Sequence, residues 1–124
     1  MGIHHISLQA KGPEEFRQVL DFYGTVLGCP VVRRWNTGAW EGAMLDLGNT
    51  LLEVTDNGTA EGRGVFAHIA FAADDTDAMI EKVRAAGRPV TMEPSDKALG
   101  PDYPIRVAFC TGPAGEEIEF FQTL

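Results

Sequence analysis

At 124 residues the chain has the length of one domain and leaves no room for a second. Ten Lys and Arg against 18 Asp and Glu give a formal net charge of −8 and a pI near 4.7, which excludes the basic stripe of a nucleic-acid binder. No apolar stretch approaches the roughly 20 residues that span a bilayer, the opening Met1-Gly2-Ile3-His4-His5 does not read as a leader, and Cys29 and Cys110 read as reduced thiols of a cytoplasmic protein.

Residues 3–9 read as a strand. Gly12-Pro13-Glu14-Glu15 opens a helix, with Pro in the first turn and acids where the helix dipole favours them. Phe16, Val19, Leu20, Tyr23, Val26 and Leu27 give that helix one apolar face, and Gly28 ends it. Strands follow at Val31–Asn36, Trp40–Leu47 and Thr50–Thr55, broken at Thr37-Gly38 and Gly48-Asn49. The polar, Gly-rich Asp56–Gly64 reads as a linker.

The pattern then restarts. Val65–Ala72 is a strand, and Asp74-Asp75-Thr76-Asp77 begins a helix with Met79, Ile80, Val83 and Ala86 on its apolar stripe and Gly87 at its end. Strands at Pro89–Met92, Ile105–Thr111 and Glu116–Gln122 follow, with a long Pro/Gly/charged loop over Glu93–Pro104. His5-Ile6 matches His68-Ile69 at an offset of 63, Gly28 matches Gly87 at 59, and Glu53 matches Glu119 at 66. The predicted fold is α+β: one domain over 1–124, made of two βαβββ modules at approximately 1–58 and 62–124. Together they are expected to form a curved mixed sheet around a cleft, with the helices on its outer faces.

Alternation sorts each strand into two faces. Ile6 and Leu8, Leu52 and Val54, Ile69 and Phe71, and Ile118 and Phe120 form the apolar faces that must cover the helices. His5, Glu53, His68 and Glu119 are left on the faces turned away. A lone strand histidine is usually an ordinary hydrogen-bonded residue, and a lone strand glutamate a solvated charge. What singles these four out is their recurrence at matching places in both halves. Two imidazoles and two carboxylates make a ligand set for a divalent ion with open positions for water or substrate. Without a cation the two carboxylates would repel.

His5-Ile6-Ser7-Leu8, the helix with Phe22-Tyr23 leading to Val26-Leu27-Gly28, and His68-Ile69-Ala70-Phe71 resemble the vicinal oxygen chelate superfamily. The ending Gly112-Pro113-Ala114-Gly115-Glu116-Glu117-Ile118-Glu119-Phe120 is similar to that superfamily's closing hairpin, whose last Glu is a ligand. Members include glyoxalase I, methylmalonyl-CoA epimerase, extradiol dioxygenases, fosfomycin-resistance thiol transferases and bleomycin-binding proteins. The resemblance implies a metal set of His5, Glu53, His68 and Glu119, which matches bacterial glyoxalase I better than the two-His, one-Glu members or the epimerase, expected to have Gln at position 53. It also implies Ni, Zn, Co or Mn in preference to Fe, and a homodimer.

The activity implied is that of a glyoxalase I-like lyase or isomerase, moving a proton on a small metal-chelated carbonyl compound, with Glu119 as first choice of base and Glu53 as second. Asn57 fits a glutathione-contacting Asn. Gln9, however, stands where an Arg would hold the glutathione carboxylate, and Arg33, Arg34, Arg63, Lys97 and Arg106 are the basic groups that would have to replace it. Trp35-Asn36 and Ala39-Trp40-Glu41-Gly42 are similar to glyoxalase-like proteins rather than to the lyase, which also weighs against glutathione. Gln9, Asn57 and Trp40 are thus the substrate-binding candidates, and Trp35, Phe66, Tyr103 and Phe121 are candidates for apolar walls. Two rivals keep the fold. One is a non-catalytic protein that binds a drug or antibiotic. The other is an Fe(II) extradiol-type dioxygenase using His5, His68 and Glu119, with Glu53 as bystander.

Overall fold

The computed structural model describes residues 3–58, 68–99 and 101–124. The chain divides into two compact units, Met1–Gly62 and Arg63–Leu124. Each is a βαβββ module with its own four-stranded mixed sheet.

In the first unit β1 (His5–Gln9) leads to α1 (Gly12–Leu20), then β2 (Val31–Asn36), β3 (Glu41–Asp46) and β4 (Leu51–Thr55). The sheet order is β1-β4-β3-β2, with β1 parallel to β4 and the other pairs antiparallel. Helix α1 carries Pro13 in its first turn, and the Glu15 carboxylate reaches back to accept from the Lys11 backbone N–H. The predicted helix to Gly28 is one continuous coil, but Asp21–Val26 winds as a π-helix. The Leu27 N–H bonds to the Phe22 carbonyl five residues back. This wider turn rotates the apolar stripe. Phe22 joins Phe16, Val19 and Tyr23 in the core, while Val26 and Leu27 are only half-buried.

The second unit repeats the plan with β5 (Ile69–Ala72), α2 (Thr76–Ala85), β6 (Val90–Ala98), β7 (Pro104–Thr111) and β8 (Glu117–Thr123), in sheet order β5-β8-β7-β6. The predicted strand residues Val65, Phe66 and Ala67 lie outside the described residues, as does Arg63. Asp75 caps α2 by accepting from the Ala78 N–H at 3.0 Å, so the acids at this helix start serve the helix.

Most of the expected loop Glu93–Pro104 is strand. β6 runs to Ala98 at the sheet edge and absorbs Pro94 within a register shift between Met92 and Ser95 in its pairing with β7. An edge strand with a bulge is where a residue lacking an N–H costs least, so Pro94 does not end the strand as its sequence context suggested.

In both units the core lies between helix and sheet. Leu8, Leu52 and Val54 are buried in the first, and Ile80, Val83, Ile118 and Phe120 in the second. His5, Ser7 and Gln9 alternate with them as exposed residues, and Glu53 and Glu119 sit half-buried on the opposite sheet faces.

Candidate metal centre

Strand register puts a His–Glu pair at the same place in each unit. Ser7 pairs with Glu53 across β1 and β4, and Ala70 pairs with Glu119 across β5 and β8. His5 lies two residues before Ser7, and His68 two before Ala70, so alternation returns each imidazole to the face of its glutamate.

The side chains complete this placement. His5 Nε2 stands 3.8 Å from Glu53 Oε1, and His68 Nε2 stands 2.9 Å from Glu119 Oε2. Side-chain exposure is 22% for Glu53 and 12% for Glu119, so both carboxylates are mostly withdrawn from water while each imidazole remains open at about a third.

The neighbours of the two pairs differ. Ser7 Oγ donates to Glu53 Oε1 at 3.0 Å, a charge-assisted bond that fixes this carboxylate. Ala70 stands in the corresponding place beside Glu119 and offers no hydroxyl. Across the sheet, Met44 pairs with Glu53 and Phe109 with Glu119. Phe109 meets His68 edge-on at 5.5 Å between ring centroids. His5 instead meets His4, Nδ1 to Nδ1 at 2.9 Å. His4 is exposed and bonded to its neighbour.

These donors suit a divalent ion. Two ligands on one ion with bonds of about 2.1 Å lie roughly 3.0–3.4 Å apart, and the observed 3.8 and 2.9 Å bracket that range. When His5 donates its Nδ1–H to His4, its Nε2 lone pair is left on the side of Glu53, the tautomer a metal ligand needs. His68 and Glu119 would hold such a cation through an imidazole nitrogen and a carboxylate oxygen. Among the described residues, no three His, Cys, Asp or Glu side chains form one group. Each unit therefore contributes two donors, short of the three protein ligands of an open catalytic site.

The other candidates spread out along the first unit. Gln9 is exposed at the end of β1, opposite Thr55, on the face of His5 and Ser7. Asn57 follows β4, where its Oδ1 accepts from Thr55 Oγ1 at 2.7 Å and its backbone bridges to Lys11. Trp40 meets Trp35 edge-on at 6.1 Å and lines an open hollow of about 230 Å³ with Pro13, Asn36, Glu41 and Asp56. That hollow lies beyond the Gln9 end of the sheet, and neither His5 nor Glu53 lines it. In the second unit Tyr103 and Phe121 lie 6.2 Å apart, while Phe66 is outside the described residues.

Ser7 and His4 were missed as neighbours of the site. Alternation had already put Ser7 on the His5 face, but its partner depends on the parallel register of β1 with β4, which no local pattern reveals. The thiols are not poised for chemistry. Burial, with Glu116 nearby, pushes Cys110 up to about 11, and burial and Asp46 raise Cys29 as well.

A family model of the Glyoxalase/Bleomycin resistance protein/Dioxygenase superfamily matches residues 2–120. A probable lactoylglutathione lyase of Synechocystis sp. is 32% identical over 114 residues, covering 84% of each chain. A second protein of that name, from Vibrio cholerae serotype O1, is 30% identical over 112 residues, covering 83% of this chain and 79% of its own. The fold of the trypanothione-dependent Leishmania major glyoxalase I superposes with a TM-score of 0.76 at 21% identity, over 98% of this chain and 86% of that one. Among the described residues no helix is long and apolar enough to cross a membrane.

Proposed function

Because the chain belongs to the Glyoxalase/Bleomycin resistance protein/Dioxygenase superfamily, we propose that it is a metal-dependent lyase or isomerase that moves a proton on a small carbonyl compound. His5, Glu53, His68 and Glu119 are the proposed ligands of one divalent ion, with Ni, Zn, Co or Mn preferred to Fe by the donor set of two imidazoles and two carboxylates. The observation that carries this reading is the matched register: a His two residues before the partner of a Glu, once in each unit.

Bound there, such an ion would supply Lewis acidity, making the C–H beside a substrate carbonyl more acidic. Glu119 is the proposed base. Its Oε2 takes the proton from carbon and returns it to the adjacent carbon, a task that needs a carboxylate free to move. Glu119 has His68 as its side-chain partner and Ala70 beside it, whereas Glu53 is tied to Ser7. Glu53 is therefore assigned to hold the ion. Gln9, on the same sheet face, is the nearest of the predicted substrate contacts, and Asn57 and Trp40 extend the proposed binding region past the end of β1.

The relatives named probable lactoylglutathione lyase make glutathione hemithioacetal the first compound to test. Gln9 in place of a cation predicts weak use of it. Elemental analysis of protein purified without added ions tests the reading, followed by turnover of that hemithioacetal and of small 2-hydroxy carbonyl compounds. Ni, Zn, Co or Mn with turnover supports it. Protein that takes up no metal would be a binding protein, and iron would make it an oxygenase. We propose further that the chain is a cytoplasmic homodimer, a setting in which Cys29 and Cys110 stay reduced. Mixing inactive His5→Ala and His68→Ala chains restores activity only if the two pairs of one site come from different chains.

A further inference from the structure

Strand pairing in the first unit carries Arg33 onto the face of His5 and Glu53. Arg33 pairs with Met44, Met44 with Glu53, and Glu53 with Ser7, and directly paired residues share a sheet face. Its neighbours confirm the alternation. The Arg34 guanidinium lies over the Phe16 ring at 5.8 Å on the helix side, with Glu41 3.9 Å away. Trp35, back on the Arg33 side, lies so close over Gly42 that a Cβ there would stand 2.3 Å from the indole. Two strand spacings, about 10 Å, separate the backbones of Arg33 and Glu53.

Arg33 also differs in charge environment. Arg106 is held by Asp77 and Asp96, Arg84 by Glu93, and Arg34 stands beside Glu41. Arg33 is exposed and has no carboxylate partner among the described residues, in a chain whose net charge is −8. A guanidinium fork is suited to bind a carboxylate through two N–H donors.

We propose that Arg33 binds the distal carboxylate of a short oxo-acid whose vicinal oxygens lie over His5 and Glu53. The substrate class is then a small dicarboxylate. This rests on the metal-site reading above and replaces the tripeptide that Gln9 disfavours.

Isothermal titration of the cobalt-loaded protein with 2-oxoglutarate and 2-oxopentanoate tests it, since these acids share the chelating head and differ at the distal carboxylate. The wild type is expected to bind 2-oxoglutarate about 10-fold more tightly, in line with one charge-assisted contact. Arg33→Ala should erase that ratio and leave 2-oxopentanoate binding unchanged. Arg33→Lys should keep part of it, and the charge-matched control Arg84→Ala all of it. A wild-type ratio near one, or a ratio untouched by Arg33→Ala, overturns the assignment while metal-dependent binding of 2-oxopentanoate still supports the metal site. If the wild type binds neither acid, both readings fall.

Discussion

Glu53 and Glu119 occupy the same register position in two βαβββ units, but their surroundings differ. Ser7 donates to Glu53, and His5 stands 3.8 Å off, itself bonded to His4. Beside Glu119 an alanine replaces the serine, and the carboxylate reaches its histidine directly at 2.9 Å. Repetition of the fold thus supplies equivalent positions, and single neighbouring residues give them different surroundings. A tethered carboxylate suits the proposed resident ligand, and one whose side-chain partner among the described residues is its histidine suits the proposed base.

The largest expected effect comes from neutralising the two carboxylates separately. Glu119→Gln should lower kcat by about 10²–10⁴, the span of general-base catalysis, while metal content stays near wild type. Glu53→Gln should lose metal first and activity as a consequence. Metal analysis beside kcat, on whichever hemithioacetal or 2-hydroxy carbonyl compound the wild type consumes, separates the two. Equal loss of metal and turnover in both variants would erase the difference in roles.

Exchanging the neighbours sharpens the comparison. Ser7→Ala should weaken metal affinity about 10-fold, as loss of an outer hydrogen bond to a ligand does. Ala70→Ser should place a hydroxyl against Glu119 and slow turnover by about 10-fold, since a new bond to a charged group is worth about 1.5 kcal/mol. Chelator competition reads the first and kcat the second. An Ala70→Ser chain as fast as wild type would show that Glu119 does not need its freedom.

Alternation along each strand was enough to set His5, Glu53, His68 and Glu119 apart from the core, because an apolar face must cover a helix. It could not say which residue stands opposite which. That Ser7 meets Glu53, and that Arg33 rather than Arg34 shares its face, follows from pairing between strands far apart in sequence. The π turn at Asp21–Val26 was hidden for a similar reason: its residues suit an ordinary helix, and tertiary packing of Phe22 and Tyr23 accompanies the extra residue. Pro94 misled because its tolerance depends on β6 being an edge, a fact of sheet order rather than of local composition.

Two glycines, one in each unit, test how much give their surroundings have. A Cβ on Gly42 would stand 2.3 Å from the Trp35 ring, which cannot fold away from the sheet without losing its contact. Gly42→Ala should cost about 1–3 kcal/mol in urea unfolding and shift the tryptophan fluorescence. A Cβ on Gly112 would meet the carboxylate end of Glu116 instead, a flexible group that now accepts from the Ala114 N–H. Gly112→Ala should cost about 1 kcal/mol, the worth of that bond. Equal costs would mean that Trp35 is not held against the sheet.

The smallest expected effect concerns how each helix is tied to its sheet. In the first unit the tie is Arg34 over Phe16, a contact with an uncharged ring. In the second it is Arg106, which donates to Asp77 on α2 through Nε and Nη2 and holds that carboxyl below its ordinary 3.8. A carboxyl with a lowered folded pKa contributes stability that is present above its unfolded pKa and lost as pH falls through the folded one. Asp77→Asn should therefore lower Tm slightly at pH 7, Asp77 being solvent-exposed. The gap between wild type and variant should close as pH falls below the ordinary carboxylate range and the wild-type carboxyl is protonated. Arg34→Gln, which removes the tie of the first unit, should keep most of its Tm loss in acid, because the contact with the Phe16 ring outlasts protonation of Glu41, 3.9 Å away. A gap for Asp77→Asn that persists unchanged in acid would mean that its hydrogen bonds, and not its charge, hold α2 to the sheet.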